Sequence, residues 1–103
     1  MDSLLKHERL NELFDCYEAL LTEKQAEYFK MYYFLDYSLQ EIALTFELSR
    51  NAIFDTLKKV EKILEDYESK LHLLENKKKR NEIYDKMEES FSLRLLEELK
   101  KID

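Results

Sequence analysis

The chain of 103 residues contains no glycine and no proline, and that absence narrows the fold more than any other feature. Hairpin turns need residues that take positive φ at little cost, and other turns use Pro to preset φ. A sheet-rich fold has nothing here with which to turn its strands. Leu, Glu, Lys and Ala are abundant instead, and all are strong helix formers. Seven Tyr and six Phe supply apolar surface for a core, so the composition is not that of a disordered chain. The reading is all-α, with 1–103 as a single domain, a size that suits one core.

No apolar run approaches the roughly 20 residues of a membrane span. Asp2, Lys6, His7 and Glu8 leave no room for the hydrophobic region of a signal peptide. Cys16 is the one cysteine, so no internal disulfide can form, which fits a reducing, cytoplasmic location.

Periodicity and cap signals divide the chain. Leu10, Leu13, Phe14, Tyr17, Leu20 and Leu21 recur at helical steps and predict a first helix over about 3–21. Thr22 with Gln25, and Ser38 with Glu41, form capping-box patterns that open helices over about 23–35 and 39–46. Ser49 caps a fourth helix beginning at Arg50. Along it Ile53, Leu57, Val60, Leu64, Tyr67, Leu71 and Leu74 alternate steps of four and three, a seam that faces another helix of the chain or a second subunit. Lys77, Lys78, Lys79 and Arg80 interrupt this pattern and are expected to end or bend the helix, most simply as a solvated loop. A C-terminal helical extension over about 76–103 then carries Ile83, Tyr84 and Met87. Ser90 or Ser92 is expected to cap a last helix bearing Leu95, Leu96, Leu99 and Ile102.

Residues 38–60 have the pattern of a helix-turn-helix. Ala43 is the small residue where the second helix approaches the first, with Ile42, Leu48, Ile53 and Leu57 expected to be buried around it. Glu47 stands where the turn ordinarily takes Gly, because the backbone there tends to positive φ; a non-Gly residue costs roughly 1 kcal/mol. The second helix should present polar side chains to a groove, and Ser49, Arg50, Asn51, Phe54, Asp55, Lys58, Lys59 and Lys62 are the candidates. Arg suits guanine and Asn suits adenine, while the lysines can follow phosphates. Solvation of an ordinary helix surface is the plainer alternative, with Glu61, Glu65 and Asp66 neutralising much of the charge.

Charge is unevenly spread. The net is −6, yet residues 49–81 hold nine basic and six acidic side chains, so positive charge gathers around the candidate recognition helix. Lys77–Arg80 offers a second phosphate contact. Tyr28, Phe29, Tyr32, Tyr33, Phe34 and Tyr37 can stack single-stranded bases, although their helical spacing favours core packing.

The segments LLTEKQ, DYSLQEIA, SRNAI and EKILEDYE, in that order and spacing, resemble the YlxM-like family of small bacterial helix-turn-helix proteins, similar to sigma-factor region 4. The resemblance runs from about Asn11 to Leu74. It implies a sigma region 4-like helix-turn-helix with a long fourth helix, and a DNA-binding or regulatory role linked to the signal recognition particle pathway. It carries no catalytic residues.

Nothing else in the chain points to catalysis. His7 and His72 lie far apart with no Cys or second His at ligand spacing, so no metal or other cofactor is expected. The carboxylates are read as lying on charged helix faces, and Cys16 as a small core residue. The expectation is a non-enzymatic DNA binder acting as a homodimer through the Ile53–Leu74 seam and the apolar C-terminal helix. The alternatives are an RNA binder and a module that docks a component of the signal recognition particle.

Overall fold

The computed structural model describes residues 3–102. Among them are α1 (Ser3–Tyr17), a 3-10 turn (Glu18–Leu20), α2 (Glu23–Tyr33), α3 (Leu39–Phe46), α4 (Arg50–Leu71) and α5 (Leu73–Ile102), with no strand. The chain divides into two compact units, one ending at His72 and the other beginning at Leu73.

Helix starts follow the cap residues. The Gln25 N–H donates to the Thr22 hydroxyl at 3.1 Å, and the Thr22 N–H donates back to the Gln25 side chain at 3.0 Å. Ser38 and Glu41 make the same reciprocal pair at 3.0 and 2.9 Å, and hydrogen bonding by the Ser38 N–H, then by its hydroxyl, holds the Glu41 carboxyl below its usual pKa. Each box satisfies N–H groups that a helix start otherwise leaves open. The first helix is shorter than its apolar pattern predicts: it gives way to the 3-10 turn after Tyr17, leaving Leu20 half-exposed.

Helix ends show what the lack of Gly costs. Asp36, Glu47 and His72 all take the left-handed conformation, with φ of 58°, 57° and 56°. At Glu47 the turn is a Schellman motif: the Leu48 N–H donates to the Ala43 carbonyl at 2.9 Å and the Glu47 N–H to the Leu44 carbonyl at 3.4 Å. The position where a Gly is ordinarily found is therefore left-handed here despite its side chain. Glu47→Gly is expected to raise stability by about 0.5–1 kcal/mol, the left-handed penalty less the extra freedom of an unfolded Gly. Urea unfolding should show a higher midpoint at unchanged slope. A lower midpoint would mean that the Glu47 side chain contributes more than its φ costs.

The core of the first unit forms around α4, which packs on α1, α2 and α3. Ile53, Leu57, Val60 and Leu64 are all buried. The first two join Tyr28, Ile42 and Ala43 in the core of the helix-turn-helix, with Met31, Tyr32, Leu39 and Phe46 packed around them. The seam is thus filled from within the chain, and this stretch is closed to a second subunit. Tyr67 is half-buried, Leu71 is exposed, and Leu74 falls in the next helix. Leu48 departs from its expected burial and stands 45 % exposed, because the left-handed turn at Glu47 carries it out to solvent.

One carboxylate breaks the rule that the acidic side chains lie on charged faces. Glu68 is buried, and the Tyr17 hydroxyl donates to its Oε1 at 2.6 Å. Cys16 is half-buried, less deep than expected of a core residue. A buried carboxylate that loses a donor keeps its desolvation cost. Tyr17→Phe is expected to destabilise the fold by about 1–3 kcal/mol, read as a lower urea midpoint; no change would mean that water replaces the lost donor.

The second unit is a single helix, α5. Lys77–Arg80 lies inside it and is exposed; it is neither a loop nor a bend. Ser90 and Ser92 are mid-helix and begin no new element. Ile83, Tyr84, Met87, Phe91, Leu95, Leu99 and Ile102 are all exposed. No described helix is long and apolar enough to cross a membrane.

Candidate nucleic-acid interface

α4 buries one stripe and therefore exposes the opposite face. At about 100° per residue, Asn51, Asp55, Lys58 and Lys62 point directly away from Ile53, Leu57, Val60 and Leu64. Phe54 and Lys59 flank that outward face. Ser49, Arg50, Asn51, Phe54, Asp55, Lys58, Lys59 and Lys62 are all exposed, Phe54 at 44 %. All eight predicted residues are thus exposed on α4 and its cap, with Asn51, Asp55, Lys58 and Lys62 sharing the outward face and Arg50 and Lys59 on opposite flanks of it.

The N-terminus of α4 is set by Ser49, whose hydroxyl accepts the Ala52 N–H at 3.0 Å. No acidic residue stands in the first turn of α4, whereas α2 has Glu23 and α3 has Glu41 there. The partial positive charge of this helix end is therefore left unneutralised, which favours an anion.

Neutralisation of the lysines is less than the sequence suggests. Glu65 is turned toward α1, where the Arg9 guanidinium donates to both of its oxygens at 2.8 and 2.7 Å; this keeps Arg9 protonated to higher pH. Glu61 also turns toward α1. Its side chain is 14 % exposed, with Lys6 Nζ 3.0 Å from Oε1 and Lys58 Nζ 3.5 Å from Oε2. Burial, then the charge of Glu61, raises the pKa of the Tyr33 phenol beyond the ordinary tyrosine range. Lys58 also lies 5.4 Å from the Phe54 ring centre. Arg50, Lys59 and Lys62 form no ion pair with any of the described residues. The outward face therefore carries more positive than negative charge, with Asp55 and, one turn beyond Lys62, the exposed Asp66 as its carboxylates.

The aromatic group divides. Tyr28 and Phe29 are buried, Tyr32 and Tyr33 half-buried, and only Phe34 and Tyr37 are exposed. Phe29 stacks on Phe14 at 4.5 Å, with ring planes 3° apart. This is core packing between α1 and α2. Nothing near residue 6 marks Lys6 in the sequence; only the packing of α1 on α4 brings it to Glu61.

A short helix, a tight left-handed turn and a second helix with a buried stripe and a polar outward face define a helix-turn-helix protein. Residues 4–102 match the family model described as "Putative helix-turn-helix protein, YlxM / p13 like", designated UPF0122, and the chain belongs to that family. It is 47 % identical over 91 residues to a UPF0122 protein of Staphylococcus epidermidis, covering 88 % of this chain and 83 % of the relative. A UPF0122 protein of Streptococcus mutans is 54 % identical over 80 residues, 78 % and 73 % of the two chains. The UPF0122 protein YofM of Lactococcus lactis is 44 % identical over 103 residues, 95 % and 93 % of the two.

Proposed function

We propose that this protein is a non-enzymatic, cytoplasmic DNA-binding regulator whose α4 enters the major groove. The observation that carries this reading is the outward face of α4, exposed, cationic and set opposite the buried stripe that fixes its orientation. Arg50 and Asn51 are the base readers, being nearest the N-terminal end that a recognition helix presents to the groove. Ser49, Phe54 and Asp55 line the entry, and Lys58, Lys59 and Lys62 follow the phosphates. Helix-turn-helix proteins of this kind commonly pair so that two recognition helices meet two half-sites. A homodimer here must use a surface other than Ile53–Leu64, which the chain itself covers.

A fluorescence-anisotropy titration at near-physiological salt tests this reading, comparing DNA duplexes with an RNA hairpin. Saturable, salt-dependent binding to duplex DNA supports it. Tighter binding to the RNA would reassign the ligand class.

The exposed apolar residues of α5 and the net charge of −6 favour a second reading. In it the protein docks another protein, with a component of the signal recognition particle as the partner that the family resemblance implies. Absence of binding to either nucleic acid, together with retention of such a component in a pull-down with the purified proteins, would favour it.

A further inference from the structure

The densest charge cluster beside the recognition helix is only partly on that helix. Glu61 is held between two ammonium groups from different elements, Lys6 of α1 at 3.0 Å and Lys58 of α4 at 3.5 Å, each on its own carboxylate oxygen. The carboxylate is nearly buried, while the two lysine side chains are 51 % and 49 % exposed. An ammonium has three donors, so each keeps N–H groups toward solvent after bonding to Glu61. Two positive charges share one negative charge, and the cluster is cationic on its outer side.

We infer that Lys6 is a phosphate contact, extending the DNA footprint from α4 onto α1 at the Lys6–Glu61–Lys58 cluster; this rests on the DNA-binding reading above. Glu61 stands one turn beyond Lys58, on the flank of α4 between its outward face and α1. Lys6 is therefore beside the face formed by Asn51, Asp55, Lys58 and Lys62, not behind it. Backbone phosphates rim the groove that a recognition helix enters, and contacts to them fix register without reading sequence. Glu61 gathers the two ammonium groups but offsets one of their two positive charges, so its net effect on phosphate binding is inhibitory. Its fixed carboxylate holds two flexible side chains at one edge of the helix, and the Phe54 ring limits Lys58 from the other side.

The test is the salt dependence of binding to a duplex of about 30 base pairs, three helical turns, measured by anisotropy with the full chain. Each phosphate contact contributes roughly 0.9 to the slope of log K against log salt. Lys6→Gln should make the slope shallower by about that amount. Between roughly 50 and 200 mM salt, wild type should then lose about threefold more affinity than the variant does. Lys6→Arg, which keeps the charge, should retain the wild-type slope. Glu61→Gln, which frees both ammoniums, should bind several-fold more tightly at low salt. Thermal melts of each variant report whether it remains folded. If Lys62→Gln lowers the slope but Lys6→Gln does not, the inference is overturned and the DNA-binding reading stands. Unchanged or weaker binding by folded Glu61→Gln overturns it as well. If wild type shows no salt-dependent binding to the duplex, the DNA-binding reading itself fails, and this inference with it.

Discussion

Replacing Lys58 and Lys62 together by Glu is expected to weaken binding to duplex DNA about a hundredfold near 0.1 M salt. The two residues lie one turn apart on the face of α4 opposite its buried stripe, and both are exposed. At this salt concentration each phosphate contact is worth roughly an eightfold factor through counterion release, so two lost contacts give about sixtyfold. Two new carboxylates beside Asp55 add repulsion. The salt dependence should also flatten, which distinguishes lost phosphate contacts from a general loss of affinity. Stability should fall by only about 1–2 kcal/mol. The ion pair lost joins a half-exposed Lys58 to Glu61, which keeps Lys6 at 3.0 Å, while the new carboxylate beside Glu61 adds a like-charge cost of similar size. Anisotropy titrations and thermal melts of the same samples check both halves. Unchanged affinity would remove the outward face of α4 from the interface. Loss of DNA binding with full retention of a protein partner would separate the two functions on one molecule.

The helix-turn-helix was legible because its signals are local. Ser38 with Glu41, and Ser49, are short-range caps, and α3 and the start of α4 lie where those residues place them. Ala43 located the left-handed position at Glu47 four residues later. Apolar character alone predicts burial for Leu48, whereas the turn directs it outward. The end of α4 is hidden from the sequence for a related reason. The apolar pattern continues through Leu71 and Leu74, yet the backbone turns left-handed at His72, and with no Gly there the sequence gives no mark of the stop.

The region beyond His72 illustrates a different limit. Lys77–Arg80 interrupts the apolar pattern, but Lys and Arg are good helix formers, and α5 runs through them. Lys79 pairs with Glu75 one turn earlier at 3.4 Å, a spacing that supports a helix. Apolar periodicity reports which face is buried, and a helix with an exposed surface all round need not show it. Ser90 and Ser92 have capping chemistry but stand between helix formers on both sides, so the helix passes through them. The Lys6–Glu61 and Tyr17–Glu68 contacts were beyond a sequence reading altogether. They join residues more than fifty positions apart, and only the packing of α1 on α4 creates them.

The aromatic residues of α2 and its C-terminal connector pose a choice between core and ligand platform, and Phe29→Ala decides it for the inner half of the group. The substitution is expected to destabilise the protein by about 3–5 kcal/mol, a large part of the 5–15 kcal/mol typical of a folded domain. Phe29 is fully buried. Its ring stacks on Phe14 at 4.5 Å and meets Tyr33 at 4.5 Å and Phe34 at 6.0 Å. Truncation leaves a cavity between α1 and α2, lined by rings whose positions are fixed by their other neighbours, so collapse around it should be incomplete. Urea unfolding followed by circular dichroism measures the loss. A cost below about 1 kcal/mol would mean that the cluster repacks freely, contrary to the close packing of protein interiors. Phe34 and Tyr37, at 45 % and 39 % exposure, should lose far less on truncation to Ala. If single-stranded RNA stacks anywhere on this group it must be on those two rings, and their Ala variants should then lose RNA affinity while their unfolding midpoints stay close to that of the wild type.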